Sequence, residues 1–190
     1  MMDTTPLRDA YRALLDAAAT VADADADADA GAGAEADADA DADAGSVPPA
    51  GEWDADQILA HVTLVNAATL AAVALVAAGS SATYDNRVAL DPWTLARTIA
   101  RAGGSAGLRD RVRHQADALC ALAGPALGEA ELDTQVPTLL LSNGELLVDR
   151  PMPLRDLVTG LAEAELPGHT AQLLALLPRS RREPDCSMMN

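Results

Sequence analysis

Three side chains in this chain have the types and spacing that hold a divalent metal: His61, Glu165 and His169. Glu165 and His169 stand at i and i+4 of a helical pattern, one above the other on a single face. Their stripe is Leu154, Val158, Leu161, Glu165, His169, Leu173 and Leu176. His61 belongs to a second stripe, Ile58, His61, Val62, Val65, Thr69, Ala72, Val73 and Val76, at the i, i+3, i+4, i+7 spacing of one helix face. It therefore points into a core, where an imidazole needs a hydrogen bond, a metal or a substrate. Zinc accepts His nitrogen and Glu oxygen, and three protein ligands leave one position open for water or substrate. On residues alone the alternative is a core histidine bonded to a neighbour, with an ordinary Glu–His hydrogen bond in a half-buried site. Pro167-Gly168 lies between the two C-terminal candidates. Proline removes a helical hydrogen bond at a cost of about 3 kcal/mol, so a break after Glu165 is a second alternative.

The helices that carry these groups are set by periodicity and stop signals. Residues 6–22 read as a first helix, with Thr5 as cap, Pro6 in the first turn and a stripe of Leu7, Tyr11, Leu14, Leu15 and Ala18. The His61 helix comes after Trp53 and an acidic cap, Asp54, and runs to Gly79 without Gly or Pro. Residues 79–91 read as a polar loop. Asp91 caps a third helix over 92–102, Gly103, Gly104 and Gly107 interrupt it, and 108–123 continue with Leu108, Val112, Leu119 and Leu122. Residues 134–149 hold two short apolar runs around Asn143-Gly144, a strong hairpin signal; the hairpin is expected over 136–148, with Pro137 confining its first run to an edge. Met152-Pro153 open the last helix, 154–177, and Pro178 stops it.

The chain's 190 residues suffice for one domain with a full core, but residues 22–45 are nearly pure Ala, Asp and Gly. They supply −9 of the formal −16 charge and read as a disordered or fraying acidic linker. With no apolar side chain larger than Ala, they cannot offset an ordering entropy of about 1–2 kcal/mol per residue. A calcium site there lacks loop geometry. The acidic balance argues against nucleic acid, since phosphate binding needs clustered bases. The one basic cluster, Arg179, Arg181 and Arg182, suits the charge complement of a helix C-terminus. Cys120 and Cys186 form no disulfide framework and no CxxC motif, which fits a reducing cytoplasm. The N-terminus has no apolar signal region. Residues 62–78 are apolar enough to raise a membrane span, yet they contain Thr63, Asn66 and Thr69 and lack flanking bases, so a buried helix is expected and no membrane partner. There is no Phe, so the core must be built from Leu, Val and Ala.

The pattern Trp53 … Ile58-Leu59-Ala60-His61, together with Glu165-x-x-x-His169-x-x-Gln172-Leu173, resembles the motifs of the DinB-like superfamily, which includes the mycothiol-dependent maleylpyruvate isomerases. The resemblance spans residues 53–177 and the first helix. It implies a four-helix bundle of up-down-down-up type; with the residue reading, the expectation is an all-α, single-domain chain over 1–190 that carries the small hairpin before the last helix, the acidic linker at 22–50 and a flexible tail at 179–190. It further implies His61, Glu165 and His169 as ligands of a divalent metal: zinc first, with nickel, manganese or iron as alternatives. Glu165 stands where the family usually has a histidine. The implied activity is metal- and thiol-dependent transfer or isomerisation, or hydrolysis, on a small-molecule substrate. Mycothiol or another low-molecular-weight thiol is the implied second cofactor, and a homodimer is compatible with it. The Lys-free, Ala/Asp/Arg-rich composition is like that of high-GC actinobacterial proteins, and those bacteria use mycothiol. The competing reading is a non-catalytic bundle that binds a small molecule or partner without metal.

No nucleophile–base pair has useful spacing. Ser142-Asn143-Gly144 belongs to a turn, Cys120 lies by an apolar stripe as an inert thiol, and His114 falls off its stripe towards solvent. Asn66 lies off the His61 face and is assigned no role.

Overall fold

The computed structural model describes residues 1–32, 52–142 and 144–177, with side chains for 1–27 of the first segment. Outside the described residues lie most of the acidic segment (33–45), Asn143, Pro178, the 179–190 tail with its arginine cluster, and Cys186. The protein is predominantly helical with one small sheet.

Helix α1, Thr5–Ala32, begins where the Asp3 carboxylate accepts the Thr5 N–H at 2.9 Å, so Asp3 rather than Thr5 supplies the cap. Leu7, Tyr11, Leu14, Ala17, Ala18 and Val21 bury its inner face. Helicity does not stop at Ala22 but runs to Ala32, correcting the linker reading for residues 22–32. Alanine is the strongest helix former, and elongation from an already packed helix carries no nucleation cost. That gain outweighs the mutual repulsion of the Asp side chains.

Helix α2, Ala55–Ala77, starts with a reciprocal capping box: Asp54 accepts from the Gln57 N–H at 2.7 Å, and Gln57 returns a bond to the Asp54 N–H. By length and composition it is apolar enough to cross a membrane, yet 61% of its most apolar window is buried inside the protein. It packs on α3 (Pro92–Ala102) and α4 (Ser105–Ala123), while α1 packs on α4 and on the last helix. Asp91 caps α3 through Thr94, and Gly103 ends it with φ 78°. At Gly107 any Cβ would lie 1.9 Å from the Ala102 carbonyl oxygen, so only glycine lets α4 turn back so tightly.

The buried face of α2 is wider than one stripe. Asn66 is fully buried, and its role is a correction to the sequence reading. The Tyr11 hydroxyl donates to Asn66 Oδ1 at 2.6 Å, the Asn66 amide reaches Gln115 at 3.3 Å, and the Gln115 amide donates to the Thr63 carbonyl at 3.0 Å. Burial keeps the Tyr11 phenol protonated. Three helices are thus joined by one polar chain inside an apolar core. His114 is exposed and Cys120 is buried, its thiol pushed up by burial.

The hairpin consists of β2 (Gln135–Ser142) and β3 (Glu145–Pro153), longer than residues 136–148. Ser142 pairs with Glu145 across a connection in which Gly144 takes φ 78°. A third strand, β1 (Tyr84–Asp85), pairs parallel with β2, which makes a three-stranded sheet in the order β1-β2-β3. The segment read as a polar loop therefore contributes a strand, and Pro137 sits in the central strand rather than at an edge. Pro137 faces Pro151, and β1 covers β2 only from Thr138 onward, so no partner strand awaits the missing N–H. Beside the bulge at Leu140/Leu141, the Asn86 side chain exchanges two bonds with the Leu141 backbone, at 2.8 and 2.9 Å.

The last helix is not uniform. It comprises α6 (Leu154–Gly160), a π-helical turn (Leu161–Glu165) and α7 (Leu166–Ala175). The turn lies directly before Pro167, whose ring would otherwise strike the carbonyl four residues back. Widening the helix there accommodates the proline, so the helix does not break after Glu165.

Candidate metal centre

The three residues singled out in the sequence come together. His61 sits on the second turn of α2 and is 3% exposed. Glu165 closes the π-turn, and His169 lies one turn further along α7. His61 Nε2 is 2.9 Å from Glu165 Oε1, and His169 Nε2 is 3.3 Å from the same oxygen. One ligand atom from each residue lies within 4.8 Å of the other two.

The far nitrogens decide what this cluster can do. His61 Nδ1 is 2.8 Å from the Ala89 carbonyl, in the 3-10 turn Arg87–Leu90. A carbonyl only accepts, so Nδ1 carries the proton. His169 Nδ1 is held in the same way, 2.7 Å from Gln172 Oε1. In the neutral rings both Nε2 atoms are then bare lone pairs aimed at a carboxylate oxygen. Three acceptors then face one another without a donor, an arrangement that protons on the Nε2 atoms or a cation among them would satisfy. Tetrahedral zinc with bonds of about 2.0–2.1 Å asks for ligand atoms about 3.3 Å apart, near the two His–Glu165 spacings, and the three ligand atoms all lie within 4.8 Å of one another. The donor set fits a divalent metal.

Burial pushes the Glu165 carboxyl up, but in the metal-free arrangement with a proton on each Nε2 the hydrogen bonds donated by His169 and His61 pull harder and lower it to about 2. Because the folded value is lowered from 4.5, the carboxylate stabilises the metal-free fold above pH 4.5 for as long as the two Nε2 atoms carry protons. That stabilisation disappears as pH falls towards 2. The denaturant midpoint of wild type should therefore exceed that of Glu165→Gln at pH 6, with the gap closing between pH 4.5 and 2. A gap that widens on acidification contradicts the assignment.

Around the cluster, three groups enter that spacing alone does not disclose. The Trp53 indole lies over both imidazoles, its ring centroid 4.7 Å from that of His61 and 6.3 Å from that of His169, nearly parallel to the latter. Its place just before the α2 cap was the available signal. The Ala89 carbonyl is a backbone atom with no sequence signature. Tyr84, on β1, is 6% exposed; burial first and the Glu165 charge second push its phenol up to about 12.

The cluster opens onto a cavity of about 1090 Å³ between α2, the hairpin and the last helix. Ile58 and Val65 line one wall, Leu140, Leu147 and Met152 the sheet side, and Leu157 and Leu161 the last helix. Gly160 and Gly168 also line it, and a Cβ at either would meet nothing within 4 Å. Ser142 and Gly144 border the cavity, whereas Asn66, His114 and Cys120 do not. No family model, curated protein or solved structure matches this chain.

Proposed function

We propose that the protein is a metal-dependent enzyme of the DinB-like type, built on a four-helix bundle of α1, α2, α4 and the helix 154–175. His61, Glu165 and His169 would hold a divalent cation, zinc in the first instance. The observation that carries this reading is the pair of Nδ1 hydrogen bonds, to Ala89 and Gln172, which turns both Nε2 lone pairs towards Glu165. A cation held there supplies Lewis-acid chemistry and lowers the pKa of a thiol or water at its open position. Ala89 and Gln172 fix the ring orientations. Trp53 shields the two imidazoles from solvent. Tyr84 lines the cavity beside Thr69 and keeps its proton at neutral pH. Thiol-dependent transfer or isomerisation, with mycothiol or a similar small thiol, is the reaction class proposed, and hydrolysis is the variant that uses water.

Purified protein stripped with a chelator and titrated with zinc should take up one equivalent per chain. Uptake should weaken on acidification, because protons compete for the same Nε2 lone pairs. Activity on thiol-adduct or ester substrates should vanish with chelator and return with metal. Protein that binds no zinc, nickel, manganese or iron would instead be a metal-free binding module.

A further inference from the structure

The charge of the cavity selects its occupant. Three charged side chains besides the histidines line it, Glu52, Asp156 and Glu165, and all are acidic. Among the described residues no arginine lines it, and the chain has no lysine. Of the arginines on neighbouring elements, Arg87 pairs with Asp85 and Arg155 with Glu129 and Asp133, while Arg150 on β3 is exposed and does not line the cavity. Glu52 and Asp156 are exposed, which places them at the mouth, while the walls are Leu, Ile, Val and Met. Even a dication on two neutral imidazoles and Glu165 leaves a net charge of only +1, and the two mouth carboxylates exceed it. A carboxylate would therefore meet a site whose summed charge is negative, and moving it out of water would be poorly compensated.

We propose that the cavity takes substrates with an apolar body and a cationic or uncharged head, cations preferred, and rejects carboxylates. The head would lie towards Asp156 and Glu52. The body would run along the open strip left by Gly160 and Gly168, towards the ligand cluster. This deepens the enzymatic reading and rests on it only for calling the occupant a substrate; the charge preference stands on the walls alone.

The test uses the full chain at pH 8, chelated and zinc-loaded, titrated calorimetrically with octyltrimethylammonium, octanol and octanoate. The three probes share a chain and differ in head charge. The ammonium compound should bind about tenfold or more tighter than octanoate in both forms, with octanol between them. In Glu52→Gln/Asp156→Asn, two exposed changes that the fold should tolerate, the ammonium advantage over octanol should shrink at least threefold. Octanoate binding as tightly as the ammonium compound in either form overturns the proposal. So does an unchanged preference in the double variant, or failure of all three probes to bind. Zinc stoichiometry, measured on the same samples, judges the metal reading separately: the charge order can hold in protein that takes up no zinc, and it can fail in protein that does.

Discussion

His61→Ala should lower zinc affinity by at least about a hundredfold, the largest single effect expected at the site. It removes one of three ligands, and a structural or catalytic metal site draws several kcal/mol from each. The same change orphans the Ala89 carbonyl and opens a small void, so a stability loss of about 1–3 kcal/mol should accompany it. His169→Ala separates the two consequences. Its ring has a more exposed setting and bonds only to Gln172 and Glu165, so affinity should fall comparably with little change in melting temperature. Competition against a chelator of known affinity, alongside circular dichroism, reads both. Zinc affinity within threefold of wild type in both variants would remove these histidines from the ligand set.

Asn66→Leu should destabilise the fold by about 2–4 kcal/mol, which for a domain of this size lowers the melting temperature by roughly 5–15 °C. The two side chains have the same number of heavy atoms and the same branch point, so the cost comes chiefly from polarity, with some overpacking from the bulkier methyl groups. The Tyr11 hydroxyl loses its acceptor inside the core, and Gln115 loses a donor. Tyr11→Phe should cost less, about 1–2 kcal/mol, because Asn66 keeps Gln115. The double variant should be more stable than the sum of the single changes predicts, since removing both partners leaves less unsatisfied. Strict additivity would mean that the Tyr11–Asn66 bond contributes nothing.

Much of the helical framework was legible because periodicity and caps agree. Asp54 before an uninterrupted run, Asp91 before Pro92, and the alternation around Gly144 each give a local signal that tertiary packing does not overrule. The spacing of Glu165 and His169, and the inward register of His61, were legible for the same reason. Asn66 escapes a single-stripe reading because α2 packs on several neighbours, so a residue off the stripe is still inside. Strand β1 is two residues long and exists only because β2 and Asn86 offer it partners, which no local pattern records. The extension of α1 depended on a balance between alanine propensity and aspartate repulsion, and period alone does not strike it. Pro167 announced a disturbance of the helix but not its form.

That form bears on how the site tolerates genetic change. A π-turn is equivalent to one extra residue in a helix, so it rotates the downstream segment by about 100° relative to the upstream one. The segment Leu154–Gly160 seats Leu154, Leu157 and Val158 in the core on its own phase. The extra residue of the turn sets the phase on which Glu165, His169 and Gln172 then face the cavity that Leu157 also lines. Loss of a single codon between 161 and 164 would leave a continuous helix with much the same composition, yet swing all three site residues about a quarter turn from their partners on α2. Substitutions at the flanking leucines would alter stability and leave that phase intact. The centre is therefore more vulnerable to a one-residue deletion in this short stretch than to most replacements around it.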